Sequence, residues 1–358
     1  MIEDLEELVL CESYSRDLEA VARSAEVVAA MGARYLGARP EFLVTEGVTH
    51  LRWTFGTPRV LLLGHHDTVW PMGTLRTHPW SLTDGVARGP GVFDMKAGLV
   101  QTFHALAGLS SLDGVSVLVT GDEERGSPTS SGMVQDAARG LAAAFVMEAS
   151  ADGGALKTVR KGTSLYTVRV HGRAAHAGLE PEKGVNAGVE LAHHLLAVAA
   201  MGAGDTTVTP TVVTGGTTLN TVPAQATLGV DVRAATVAEQ RRVDAELHAL
   251  RPVLPGARLE VLGGPNRPPL EAGMSAELYT LAQELAAGLG LEPLTSASVG
   301  GASDGNFAAG AGCPTLDGLG AVGGGAHADD EHVVVAEMPG RTALLRALVE
   351  SVRGRNVA

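Results

Sequence analysis

Short apolar runs that stop abruptly at glycine or at a charged residue mark the first half of the chain. Val60-Leu61-Leu62-Leu63 ends at Gly64, Val115–Thr120 ends at Gly121, and Ala142–Met147 ends at Glu148. Unbroken runs of this length predict strands covered on both faces. Shorter strands are expected at Phe42–Thr45 and Leu51–Phe55. Helical spacing fills the gaps. Residues 1–31 predict one helix, with Leu5, Leu8, Val9, Val21, Val27 and Val28 in its stripe, and Lys96–Leu109 predicts another. Alternating helices and strands imply an α/β sheet.

The order changes between Thr163 and Gly263. Strands are expected at Leu165–Val170, Val208–Thr214, Ala226–Arg233 and Arg258–Leu262, with helices at Val185–Ala200 and Thr236–Leu250. That sequence is β-α-β-β-α-β, the split pattern of ferredoxin-like domains. The proline-bearing stretch Gly264–Leu270 reads as a linker back. A helix near Ser275–Ala287, a glycine-rich loop at Val299–Asn306, a strand near Pro314–Gly318 and a helix at Glu337–Arg353 follow. The expectation is an α/β domain made of residues 1–162 and 264–358, interrupted by a ferredoxin-like domain at 163–263. A chain of 358 residues is long enough for two cores.

Composition narrows the partners. With 45% hydrophobic and 19% charged residues the chain is ordinary for a globular protein, and its formal charge of -13 argues against nucleic acid and anionic membranes. Cys11 and Cys313 form no framework, which fits a reducing compartment. Glu3, Asp4, Glu6 and Glu7 are unlike the start of a secretory signal, so a cytoplasmic location is expected.

The candidate chemistry sits where the apolar runs end. His65 and Asp67 follow the first run, Glu123 and Glu124 the second, and Glu148 the third, while Asp94 lies in a turn just before the helix at Lys96. Ligands of open α/β sheets bind beyond the carboxyl ends of strands. A Glu-Glu pair after one strand is ordinarily a solvated loop. Several such sites on neighbouring strand ends are another matter. Converging carboxylates repel one another and raise each other's pKa, and bound cations remove that penalty. Histidine with carboxylates is a donor set that suits Zn²⁺.

The blocks Gly64-His65-His66-Asp67-Thr68-Val69, Gly89–Gly98, Asp122-Glu123-Glu124-Arg125-Gly126-Ser127, Val146-Met147-Glu148, Arg173–Gly178 and Gly325–Glu331 resemble the di-zinc metallopeptidase family. That family includes glutamate carboxypeptidase, aminoacylase, acetylornithine deacetylase and succinyl-diaminopimelate desuccinylase. The wording of the blocks is most similar to the glutamate carboxypeptidase branch. The resemblance implies a zinc-exopeptidase-like domain with a central mixed sheet, and an inserted domain that forms a homodimer. It implies two Zn²⁺ per chain, with Co²⁺ or Mn²⁺ as replacements. Asp94 would bridge the metals, His65 and Glu148 would complete one, and Glu124 and His327 the other. Asp67 would accept the second ring N–H of His65, and Glu123 would be the general base. His176 would reach the partner subunit's site, Arg267 and Asn220 would hold a substrate carboxylate, and the Asp94–Met95 peptide would be cis.

Other residues read as bystanders. His66 faces away from the site if the pleat continues, Met95 carries no chemistry, and His193 and His194 are expected on the surface. The leading function is a peptidase releasing a C-terminal amino acid from a small peptide or N-acyl amino acid. The alternatives are an N-acyl-amino-acid deacylase on the same site and a non-catalytic binding protein on the same scaffold.

Overall fold

The computed structural model describes residues 1–354. The chain divides into two compact units, one made of Met1–Arg160 with the chain from Leu270 onward, the other of Lys161–Pro269.

The first unit is built on a six-stranded mixed sheet in the order Glu41–Thr45, Val48–Phe55, Val115–Thr120, Val60–His65, Ala143–Val146, Thr315–Leu316. The first two pairings are antiparallel and the other three parallel. Every residue of the three central parallel strands is buried. Their alternate residues feed two cores. Leu62, Val117 and Phe145 pack on one side, and Leu61, Leu63, Leu118 and Val146 on the other. Leu63 is level with both Leu118 and Val146, so the three strands end side by side.

Two departures from the sequence reading concern this unit. The expected helix over residues 1–31 is two helices, Ile2–Leu10 and Leu18–Leu36. The break is held by polar groups: the Ser15 hydroxyl donates to the Asp67 carboxylate at 2.7 Å, and Asp17 caps the second helix by accepting from the Ala20 N–H. Sequence reading also missed the parallel pair Leu156–Arg160 with Ser296–Val299, and a small antiparallel sheet that includes Val86–Arg88 and His332–Val334.

The second unit is a four-stranded antiparallel sheet in the order Thr207–Gly215, Gln225–Ala234, Gly162–His171, Arg258–Arg267, carrying helices Ala187–Ala199 and Val237–His248. With the strands numbered along the unit, that is the ferredoxin-like order 2-3-1-4. Gly264–Leu270 is not a linker throughout, because the last strand runs on to Arg267 through pairing with Gly162–His171. His194 is buried rather than on the surface. Its Nε2 lies 2.7 Å from Glu190, whose carboxylate also accepts the Val253 and Leu254 N–H groups. No helix among the described residues is long and apolar enough to cross a membrane.

Candidate metal centre

Three parallel strands deliver the first candidate residues. His65 closes its strand, Glu123 and Glu124 lie in a single turn after Thr120, and Glu148 follows Val146 by two residues. Asp94 arrives in the turn before the helix Ala97–Ala107, and its peptide bond to Met95 is cis. Gly98 lets that helix approach closely, since a Cβ there would sit 2.1 Å from the Met147 carbonyl oxygen. His327 comes from the loop before His332–Val334 and has a left-handed φ of 63°.

These residues meet. His65 Nε2 lies 3.3 Å from Asp94 Oδ1 and 3.5 Å from Glu148 Oε1. His327 Nε2 lies 3.1 Å from Asp94 Oδ2 and 3.2 Å from Glu124 Oε2. One carboxylate, Asp94, thus turns one oxygen to each of two histidine-carboxylate pairs. Donor atoms of His65, Asp94 and Glu124 fall within 4.8 Å of one another, and so do those of His65, Glu123 and Glu148. Glu123 therefore shares the cluster and is itself buried.

The electrostatics show a site short of positive charge. The carboxylates of Asp94 and Glu124 draw the His327 imidazole up to about 10. Burial opposes a charged His65, yet Asp67, Asp94 and Glu148 outweigh it and raise that pKa well above the usual value. Burial, aided by Asp94, pushes Glu124 up to about 7 despite its contact with His327. Glu124 Oε1 is buried without a hydrogen-bond partner. Three carboxylates and two imidazoles of this kind fit divalent cations of borderline hardness, with Zn²⁺ foremost.

Asp67 ties the cluster together. His65 Nδ1 is 3.0 Å from the Asp67 carbonyl oxygen and 3.5 Å from its carboxylate, so the shorter contact is to the backbone. The carboxylate accepts the N–H groups of both Glu123 and Glu124 at 3.2 Å. His66 points elsewhere, with Nε2 3.0 Å from the Thr49 carbonyl oxygen.

Two supports went unseen in the sequence. The buried Glu331 carboxylate accepts four hydrogen bonds, from Trp70 Nε1 and from the N–H groups of Gly91, Phe93 and Asp94, and so fixes the Asp94 turn. Arg160 Nη2 donates to Glu148 Oε2 at 3.3 Å while its Nε lies 2.9 Å from Asp317 Oδ2. Glu331 could have been suspected only from its place four residues after His327, and Arg160 and Asp317 carry no local signal.

The remaining site candidates belong to the second unit. His176 and Asn220 are both exposed and adjacent: His176 bridges Thr221, and the Ala177 N–H donates to the Asn220 carbonyl at 2.9 Å. Arg267 is buried at the end of its strand.

Residues 61–351 match the model of peptidase family M20/M25/M40. The chain belongs to that family. It is 30% identical to carboxypeptidase G2 of Pseudomonas sp. (strain RS-16), over 98% of this chain and 88% of the relative. It is 28% identical to a succinyl-diaminopimelate desuccinylase of Wolinella succinogenes, over 81% and 83% of the two chains. A metallo-carboxypeptidase of the M20 family from Sulfolobus solfataricus has the same fold, with a TM-score of 0.73, 16% identity, and coverage of 98% of this chain and 99% of that one. The M20 chain described here is thus a metal-dependent hydrolase of peptide or amide bonds.

Proposed function

We propose that this M20 protein is a di-zinc peptidase that releases a C-terminal amino acid, in the manner of carboxypeptidase G2. The observation that carries this reading is the meeting of His65, Asp94, Glu124, Glu148 and His327 around one shared carboxylate, with Glu123 beside them. His65 and Glu148 would hold one ion and Glu124 and His327 the other, with Asp94 placed to serve both. The chemistry such ions would supply there is polarisation of the scissile carbonyl and a lowered pKa of a bound water. Glu123 takes a proton from the attacking water as its oxygen bonds to the carbonyl carbon. It returns that proton to the amide nitrogen as the C–N bond breaks, giving a carboxylic acid and an amine, which leave as carboxylate and ammonium. Asp67 holds His65 in register with the turn of Glu123 and Glu124. Arg267 and Asn220 bind the carboxylate of the released residue.

Metal content is the first test. Elemental analysis after zinc loading and desalting is expected to give about two ions per chain, by the logic of two-metal hydrolases. One ion or none would overturn the assignment of ligands. A substrate panel then separates peptidase from deacylase. C-terminal-glutamate dipeptides should be cleaved faster than acetyl and formyl amino acids, and the reverse order would establish the deacylase reading.

The site is proposed to be shared in a two-fold dimer. The second unit's sheet has a free edge at Thr207–Gly215, and free edges invite pairing. His176 would enter the partner's site and steady the developing oxyanion, a contribution of ~2.7–4 kcal/mol. Glu123→Gln and His176→Ala are each expected to be severely impaired alone. In their hybrid dimer one site carries both defects and the other none. Random mixing should therefore restore roughly a quarter of the sites. Verified hybrids with no recovered activity would exclude sharing.

A further inference from the structure

The glycine-rich loop after the strand Ser296–Val299 has no part in the chemistry assigned so far, and its two halves differ. Gly300 and Gly301 are exposed, and a Cβ on either would meet nothing within 4 Å. The polar residues behind them are buried: Ser303, Asp304 and Asn306 are at most 4% exposed. A solvated turn does not bury a carboxylate, because taking that charge out of water is costly unless hydrogen bonds hold it. Here they do. Asp304 Oδ2 accepts from the Thr120 hydroxyl at 2.8 Å, and Oδ1 accepts from the Ser127 hydroxyl.

Those two donors bracket the segment that carries Glu123 and Glu124. Thr120 ends the strand before it, and Ser127 follows the turn. One carboxylate thus closes the segment at its base, with one oxygen to each end. Inside this clasp the Gly126 N–H donates to the Glu123 carbonyl at 2.8 Å, and the Ser127 N–H to the Asp122 carbonyl at 3.0 Å. Asp67 holds the middle of the turn through the N–H groups of Glu123 and Glu124, and relates it to His65. Asp304 relates it to the other side of the centre. Its neighbour Ser303 donates to Asp317 Oδ2 at 2.6 Å, Asp317 pairs with Arg160, and Arg160 donates to Glu148. The loop therefore ties the turn of Glu123 and Glu124 to the support of Glu148.

We propose that Asp304 is a positioning residue for the metal centre: by clasping Thr120 and Ser127 it holds Glu123 and Glu124 in register with His65, Asp94 and Glu148. The inference rests on the two-metal reading above and adds to it a residue that touches neither substrate nor ion. Asparagine cannot stand in for it. An amide offers one acceptor oxygen, whereas here two hydroxyls each donate to an oxygen of their own. Misplacing a catalytic group by about 1 Å can cost on the order of 10² in rate, so a clasp remote from the substrate still governs turnover.

The first readout needs neither metal nor turnover. Hydrogen exchange in chelator is compared for wild type, Asp304→Asn and Ser127→Ala, the last of which cuts the clasp and leaves the carboxylate. Amides of residues 121–127 should exchange ~10-fold faster in both variants, the opening expected from one lost hydrogen bond, with the strand Ala143–Val146 unchanged. The zinc-loaded full chain is then assayed on the substrate that wild type cleaves fastest. Both variants should lose kcat by ~10-fold or more with KM little changed, as misplaced catalytic groups do. Zinc competition against a chelator should find one of the two ions held ~10-fold more weakly. Thr120→Ser keeps the hydroxyl and should match wild type, whereas Thr120→Val should share the loss. Unchanged exchange at 121–127, or local opening with wild-type kcat and zinc affinity, would overturn the proposal. So would exchange that quickens over the whole unit, which marks a residue that only stabilises the fold. If wild type holds fewer than two ions or cleaves nothing in the panel, the two-metal reading fails instead. Exchange alone then decides the clasp: local opening supports it, and its absence overturns it. If Asp304→Asn does not fold, Ser127→Ala and Thr120→Val carry the same comparison.

Discussion

Glu123→Gln is expected to keep both metal ions and to lose turnover by on the order of 10² or more, the size of a removed general base. The substitution preserves shape and removes only the proton-accepting oxygen. The Glu123 N–H bond to Asp67 is made by the backbone and survives it. The geometry makes this a sharp discrimination, because Glu123 shares a donor cluster with His65 and Glu148 while Glu124 shares one with His65 and Asp94. The position of His327 favours the roles as proposed, since its Nε2 sits 3.2 Å from Glu124 and 3.1 Å from Asp94. Glu124→Gln should therefore release zinc where Glu123→Gln does not. Zinc analysis and kcat of the two variants, measured side by side, check this. Zinc loss in Glu123→Gln with retention in Glu124→Gln would exchange base and ligand.

The strand-end candidates were legible because parallel strands buried on both faces must be apolar throughout, so the first charged residues after each run mark the sheet's carboxyl edge. His65, Glu123, Glu124 and Glu148 are found that way. Asp94 and His327 lie in loops, where no periodicity speaks, and only the motif wording pointed to them. The β-α-β-β-α-β order was also readable, yet its last strand was cut short at Leu262. Gly263, Gly264 and Pro265 look like a linker by composition, whereas pairing with Gly162–His171 carries the strand on to Arg267. The helix break at residues 11–17 escaped notice because its cause is tertiary: Ser15 and Tyr14 bond to the segment of Asp67 and Thr68. His194 was misplaced for a similar reason. A histidine four residues after a glutamate looks like a surface pair, and only the Val253 and Leu254 N–H groups bury the glutamate. Supports such as Glu331 and Arg160 act across more than a hundred residues, and a sequence offers no local trace of that.

Arg160→Met is expected to destabilise the metal-free protein by ~3–5 kcal/mol, the usual cost of leaving one member of a buried ion pair alone. Arg160 is 3% exposed and Asp317 fully buried, with 2.9 Å between Nε and Oδ2. Burial raises the Asp317 pKa and Arg160 opposes the rise, so without the guanidinium this carboxylate is left with the Ser303 hydroxyl, the Gly318 N–H and the charge of Lys157. Glu148 loses its donor at the same time. The effect should come from the stranded charges rather than from lost packing, since methionine fills much of the arginine's volume. The double variant Arg160→Met with Asp317→Asn tests that point, because it removes both charges of the pair. Its stability should return to within about 1–2 kcal/mol of wild type, as buried pairs replaced together often allow. Denaturant melts in chelator, run on wild type, both single variants and the double, give the coupling energy directly. A double variant as unstable as Arg160→Met would mean that arginine packing, and not charge, holds this corner of the site. Zinc loading of the stable double variant then reads the second role of Arg160. If it orients Glu148, zinc should bind more weakly at one of the two positions while the other is unchanged, since Glu124 and His327 do not touch it.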